Sequence, residues 1–227
     1  MKIAIIGAMR EEVEHLTPLL GHHKEHTIKP YTFHTGDYLH HELLIVESGV
    51  GKVMSGMLIA TLYQHFTVDQ VINVGVAGGL GDVQIGDIVV GTQCIYGDVD
   101  VSAGGAYLYG QMARCPLAFL GSETILSTTR SMDAIHATIM SNDAFITDAV
   151  KTKALIDEYF PDFDVRAVDM ESCAFAQACY VIGLPFLAIR AISDVIGDKN
   201  QVSSFINQLE VACKSSNEFI LNLLKRL

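Results

Sequence analysis

The sequence predicts an α/β fold whose central sheet is covered by helices on both faces. Three observations predict it. Continuous apolar runs of strand length alternate with stretches whose apolar residues recur at helical spacing. Several of the apolar runs end in glycine, which lets a strand turn tightly into the next element. No Pro/Ser-rich linker and no internal repeat divides the 227 residues, so 1–227 is read as a single domain.

The first strand is read at 2–6, KIAII, where apolar residues run without alternation, as suits a strand buried on both faces. A helix is expected over 11–20 from the spacing of Val13, Leu16 and Leu19, with Pro18 shortening it or breaking it near its end. The histidines of GHHKEH at 21–26 are read as a polar loop. They lack an HExxH spacing and partner cysteines, so no metal site is expected. Strands follow at 31–37 and 43–48. The glycine-rich turn at 49–52 enters a helix of small and apolar residues reaching 66. DQVINVGVAGGLG at 69–81 reads as a strand ending in glycines, and QIGDIVVGTQCIYGDVDV follows it. Helices are expected over 122–140 and 148–159. Strand 164–169 runs into helix 171–182, and strand 186–192 precedes a last helix at 204–225.

Half of the residues are apolar, enough for a large core and too many for a disordered chain. The net charge of −11, with no cluster of Lys or Arg, argues against nucleic acid as a partner, because a phosphate backbone needs a basic stripe. Five cysteines, odd in number, irregularly spaced and without a CxxC, read as reduced thiols of a cytoplasmic protein. No run of 18 apolar residues predicts a membrane span. MKIAIIGAM has too short an apolar run for a secretion signal and lacks a cleavage pattern.

In such sheets, ligands sit at the carboxyl ends of strands. The polar residues expected there are Glu11 and Glu12, Ser48 to Lys52, Gly75 to Gly79, Asp169 to Glu171, and Arg190 to Asp194. GVGKVM breaks the GxGxxG pattern at its last position and no GxxxxGK[ST] occurs, so neither a dinucleotide cofactor nor an NTP is expected. Arg190 is the anomaly. It lies inside the apolar run PFLAIRAISDV, where an unpaired charge costs several kcal/mol, roughly. A buried polar network joining Arg190 to nearby acids is therefore expected. Glu12, Glu171 and Asp194 all fall at strand–helix junctions. For Glu12 and Glu171, helix capping is the competing reading. No GxSxG elbow and no local Cys/His pattern is present, which leaves carboxylate chemistry: one acid to protonate a leaving group, another to activate water.

IIGAMREEVE at the start, SGVGKV at 48–53, SNDAFI at 141–146, VDMES at 168–172 and RAISDV at 190–195 occur in that order. Together they resemble the 5′-methylthioadenosine/S-adenosylhomocysteine nucleosidases of the purine nucleoside phosphorylase superfamily, over nearly the whole chain. The resemblance implies a three-layer α/β/α sandwich with a mixed central sheet, a homodimer, and no cofactor. It implies hydrolysis of the N-glycosidic bond of these two thioethers to adenine and the thioribose, as in methionine salvage. Asp194, oriented by Ser193, would give a proton or a hydrogen bond to adenine N7. Glu12 would be the base for the attacking water, and Glu171 would accept hydrogen bonds from the ribose hydroxyls. Met170 would lie against the ribose, and Arg190 would hold Glu12, Glu171 or the water. Phe145 would stack on the base while the backbone of Ile146 reads its edge. Met9, Val50, Ala77, Gly78 and Phe205 would line the rest.

The chain departs from the family pattern in places. Val76 stands where the family usually has Ser. Related phosphorylases hold phosphate with a hydroxyl at this turn, so water rather than phosphate is the expected nucleophile. VDMES replaces VEMEA, with Asp169 read as supporting. Gly104 and Ala113 replace the usual Phe and Pro in a segment that shapes the 5′-thioalkyl pocket, partly across the dimer interface. Two alternatives remain: a phosphorylase or hydrolase of another 5′-modified purine nucleoside such as a futalosine, and a non-catalytic nucleoside-binding protein.

Overall fold

A computed structural model describes all of residues 1–227. Its strands are β1 (Lys2–Gly7), β2 (Gly21–Ile28), β3 (Tyr31–Tyr38), β4 (His41–Glu47), β5 (Gln70–Gly79), β6 (Ile88–Tyr96), β7 (Phe119–Leu120), β8 (Ile135–Ser141), β9 (Val165–Asp169) and β10 (Phe186–Val195). The helices are α1 (Lys52–His65), α2 (Glu123–Thr129), α3 (Ala149–Tyr159), α4 (Ser172–Ile182) and α5 (Gln201–Leu224). All ten strands join one mixed sheet. β1 pairs parallel with β4 and β5, and β10 pairs parallel with β5 but antiparallel with β6.

Alternation along the strands builds three layers. Ile3 and Ile5 of β1, Leu43 and Ile45 of β4, and Ile72 and Val74 of β5 point to one face. They pack there with Phe219, Ile220, Leu223 and Leu224 of α5. Ala4, Ile6, Leu44, Val46 and Val71 point to the other face, where Leu58, Ile59 and Leu62 of α1 meet Cys173, Phe175 and Cys179 of α4. The period of two sends successive residues to opposite helical layers, so the central residues of these strands are mostly apolar.

β5 positions the site. Its first residues lie beside β1, from Ile3↔Gln70 to Ile6↔Asn73. Beyond Asn73 that side of β5 is free of β1, and β9 takes it at Gly78 and Gly79. Along its other side β10 pairs from Val71 to Gly79. Through β9, β8, β6 and β10 the pairing returns to β5, so five strands close a ring and β1, β4, β3 and β2 extend from it as a flap.

Three expectations are corrected. Residues 11–20 are not an α-helix but two 3₁₀ turns, Arg10–Glu12 and Thr17–Leu19. Pro18 has no N–H to give and its ring obstructs the carbonyl of residue 14, so a continuous helix cannot pass. GHHKEH is not a loop but part of β2, an edge strand exposed along nearly its whole length and paired only with β3. The stretch 122–140 is not one helix: α2 ends at Thr129, and β8 runs parallel between β6 and β9. Its β-branched Ile135, Thr138 and Ile139 suit that buried strand.

Candidate active site

A cavity of about 190 Å³ opens where β5 and β10 end. Its wall includes the start of the first 3₁₀ turn, the turn before α1, the 144–146 segment, the junction of β9 with α4, and the first turns of α5. Met9, Glu12, Val50, Ala77, Gly78, Phe145, Ile146, Met170, Glu171, Ser193, Asp194 and Phe205 all line it. Arg190 does not.

Glu12 is buried, and three backbone N–H groups hold its carboxylate. Ala8 and Met9 donate to Oε2 at 2.6 and 3.0 Å, and Val76 donates to Oε1 at 3.1 Å. The Ala8 and Met9 bonds tie down the entry to the 3₁₀ turn, so the capping reading holds in part. Burial raises the pKa of Glu12 above the usual carboxylate range, opposed by the charge of Arg190 and by these backbone donors. Gly75 makes the placement possible, because a Cβ there would lie 2.4 Å from Glu12 Oε1.

Asp194 comes from β10. Its register with β5 slips between Ile192 and Asp194, a bulge at Ser193. The extra residue re-aims the strand end, so consecutive Ser193 and Asp194 both reach the cavity instead of pointing to opposite faces. Ser193 Oγ donates to Asp194 Oδ1 at 2.7 Å, and Gln201 Nε2 donates to Oδ2 at 2.8 Å. Gly78 gives this carboxyl room, since a Cβ there would lie 3.2 Å from Oδ2.

Glu171 sits at the N-cap position of α4, but its side chain does not cap that helix. Oε1 instead accepts the N–H of Gly51, at 2.8 Å, from the turn before α1. Gly51 has φ +96°, a conformation that favours glycine, so this turn presents its N–H to the carboxylate. Burial and the neighbouring Asp169 charge raise Glu171 to about 7, against the lowering effect of Arg190.

Arg190 lies behind the cavity. Its Nε donates to Asp169 Oδ2 at 2.9 Å and its Nη2 approaches the same oxygen at 2.7 Å. Nη1 donates to the carbonyls of Asn73 and Ile189, and Nη2 to Asn73 Oδ1. The buried network expected around Arg190 exists, but its hydrogen-bonded acid is Asp169, not Glu12 or Glu171. Asp169 also accepts the Ser141 hydroxyl and both the N–H and the hydroxyl of Ser172.

Ala8, Val76, Ala144, Val168, Asp169, Ile196 and Gln201 also line the cavity. Gln201 was hidden by an expected helix start at 204; the helix begins three residues earlier and turns Gln201 inward with Phe205. No residue of 97–118, the segment carrying Gly104 and Ala113, lines the cavity of the single chain.

This fold and this acid-lined cavity at the strand ends have known relatives. The chain belongs to the family described as the phosphorylase superfamily, whose profile matches residues 2–225. It is 36% identical to the 5′-methylthioadenosine/S-adenosylhomocysteine nucleosidase of Listeria welshimeri, with both chains covered in full. The Streptococcus pneumoniae MTA/SAH nucleosidase, solved in complex with 8-aminoadenine, matches at TM-score 0.93 and 40% identity over 100% of each chain. A futalosine hydrolase mutant of Helicobacter pylori matches at TM-score 0.90 and 28% identity, again over 100% of each chain.

Proposed function

We propose that this protein hydrolyses the N-glycosidic bond of 5′-methylthioadenosine and S-adenosylhomocysteine, releasing adenine and the thioribose. The observation that carries the reading is the pair of buried carboxyl groups, Glu12 and Asp194, on the wall of one cavity whose remaining lining is mostly apolar. Adenine leaves poorly as an anion, and a proton placed on N7 lets it leave neutral. Asp194, held by the Ser193 hydroxyl, is the donor in this scheme. As the bond lengthens the ribose gains positive charge, and water attacks the anomeric carbon. A carboxylate has about four acceptor positions. Backbone N–H groups take three at Glu12, leaving one for the water whose proton it removes. The raised pKa of Glu12 makes it a stronger base than a solvated carboxylate. Glu171 has Oε2 free of a protein donor and takes the ribose hydroxyls, beside Met170. Phe145, edge-on to Phe205 with ring centroids 5.4 Å apart, closes over the base, and the Ile146 backbone reads its edge.

Water is favoured over phosphate by Val76. It lines the cavity with an aliphatic side chain where a phosphorylase needs a hydroxyl, and its N–H is engaged by Glu12. The chain acts as one domain and pairs as a homodimer. Exposed Val50, Val53 and Met57 at the head of α1 support this, with exposed Val101 and Leu108 in the loop tied to α1 through the Lys52–Asp98 ion pair. Its five free thiols suit the cytoplasm.

The test is turnover of 5′-methylthioadenosine with and without phosphate, with the sugar product identified, alongside S-adenosylhomocysteine, 5′-deoxyadenosine, inosine and a futalosine. Phosphate-independent release of adenine from the thioethers is expected. A sugar 1-phosphate product, or preference for the futalosine, would overturn the assignment. Tight binding without turnover would leave a nucleoside-binding protein.

A further inference from the structure

Gln201 is buried at the first position of α5, and its carboxamide makes three hydrogen bonds. Oε1 accepts the N–H of Gly197 at 3.1 Å, which fixes which end of the amide is nitrogen. Nε2 then donates to two acceptors on the cavity wall, the Ile146 carbonyl and Asp194 Oδ2, each at 2.8 Å. A carboxamide nitrogen is planar and carries two N–H groups. The 6-amino group of an aminopurine is the same donor.

We propose that Gln201 is an internal competitor of the purine. Its amide takes the two acceptors that the 6-amino edge of the base requires, and it turns out of the cavity when the base binds. This rests on the reading that Ile146 and Asp194 face adenine. Competition follows because one nitrogen already serves both acceptors from within the cavity lining. Exchanging an amide NH₂ for an aminopurine NH₂ leaves every acceptor satisfied. A 6-oxo purine would set its oxygen against the Ile146 carbonyl, with no N–H to replace the one that carbonyl loses. Phe205 lies one helical turn beyond Gln201 and lines the same cavity against Phe145, so movement of this first turn shifts the ring and the amide together.

The experiment measures adenine affinity by calorimetry in the wild-type protein, in Gln201→Ala, and in Gln201→Asn, whose amide is one methylene too short to reach both acceptors. Removing a competing closed state raises apparent affinity by the factor with which that state outweighs the open one. Tighter adenine binding, several-fold to about tenfold, is expected in both variants. Unchanged or weaker binding would overturn the proposal, because a residue that supports the bound base gives that result. In wild-type protein labelled with ¹⁵N-glutamine, adenine should move the protected Gln201 side-chain amide signals to solvent-like shifts and fast exchange. Signals that stay protected would also overturn it. A wild-type protein that neither binds adenine nor cleaves 5′-methylthioadenosine would instead defeat the proposed reaction.

Discussion

Glu12 and Glu171 are acids that folding makes harder to ionise. In the unfolded chain Glu171 loses its proton near its usual value of 4.5, and in the folded chain it keeps it to about 7. Between those values the folded state binds more protons than the unfolded one. This contribution to stability is therefore complete below pH 4.5 and is lost as pH rises to about 7. Glu171→Gln should remove that slope, at most about 1.4 kcal/mol per pH unit for one proton. Denaturant melts of both proteins from pH 4.5 to 8 measure the difference, and parallel curves would contradict the raised value. Glu12→Gln should cut kcat by about 10²–10⁴-fold, with nucleoside affinity largely retained. Equal losses in kcat and affinity would remove Glu12 from the role of base. Asp169→Ala leaves Arg190 buried without its counter-ion, and should cost about 3–5 kcal/mol of unfolding free energy. Asp169 was legible from sequence only as a supporting acid. The Ser172 hydroxyl that donates to it explains how the shorter carboxylate of VDMES is held.

At the scale of elements, one strand makes room for both acids. Gly75→Ala puts a methyl on Glu12 Oε1, and a displacement of about 1 Å in a reacting group is worth about 100-fold in rate. Gly78→Ala meets Ile196 and Asp194 at 3.0 to 3.3 Å, so those side chains must give by a few tenths of an ångström, a smaller displacement that should lose less. Steady-state kinetics on the two variants tests that order. The strands β1, β4, β5 and β10 were legible because burial on both faces leaves long, mostly apolar runs, with Asn73 and Arg190 the buried polar exceptions. The strand ends therefore led to the acids. What escaped was local. The bulge at Ser193 leaves no mark in the residue order. β8 has helix-compatible spacing after α2, and the 3₁₀ turns at 10–19 share the apolar spacing of a helix. Gln201 lay outside a helix start placed three residues late. Asp169 and Asn73, the side-chain partners of Arg190, lie 21 and 117 residues away in sequence, so the residue announced a network without naming its members.

At the scale of the molecule, Glu12, Glu171 and Asp194 come from positions widely separated in the chain and meet because β1, β9 and β10, which lead to them, all pair with β5. The proposed homodimer predicts a dimer in sedimentation that charged substitutions at Val53 and Met57 should disrupt; a monomeric wild-type protein would overturn it. Closing five strands on themselves leaves the flap to end in β2, whose outer backbone groups pair with no strand. That rim carries Lys24, Glu25 and a run of histidines, hydrated side chains that resist the approach of another strand. Lys24 and His26, two apart on one face, are replaceable by valine without touching the cavity. Light scattering should then reveal self-association while catalysis per dispersed molecule stays constant. The polarity that disguised this strand as a loop is thus a guard against fibril growth from the open border of the flap.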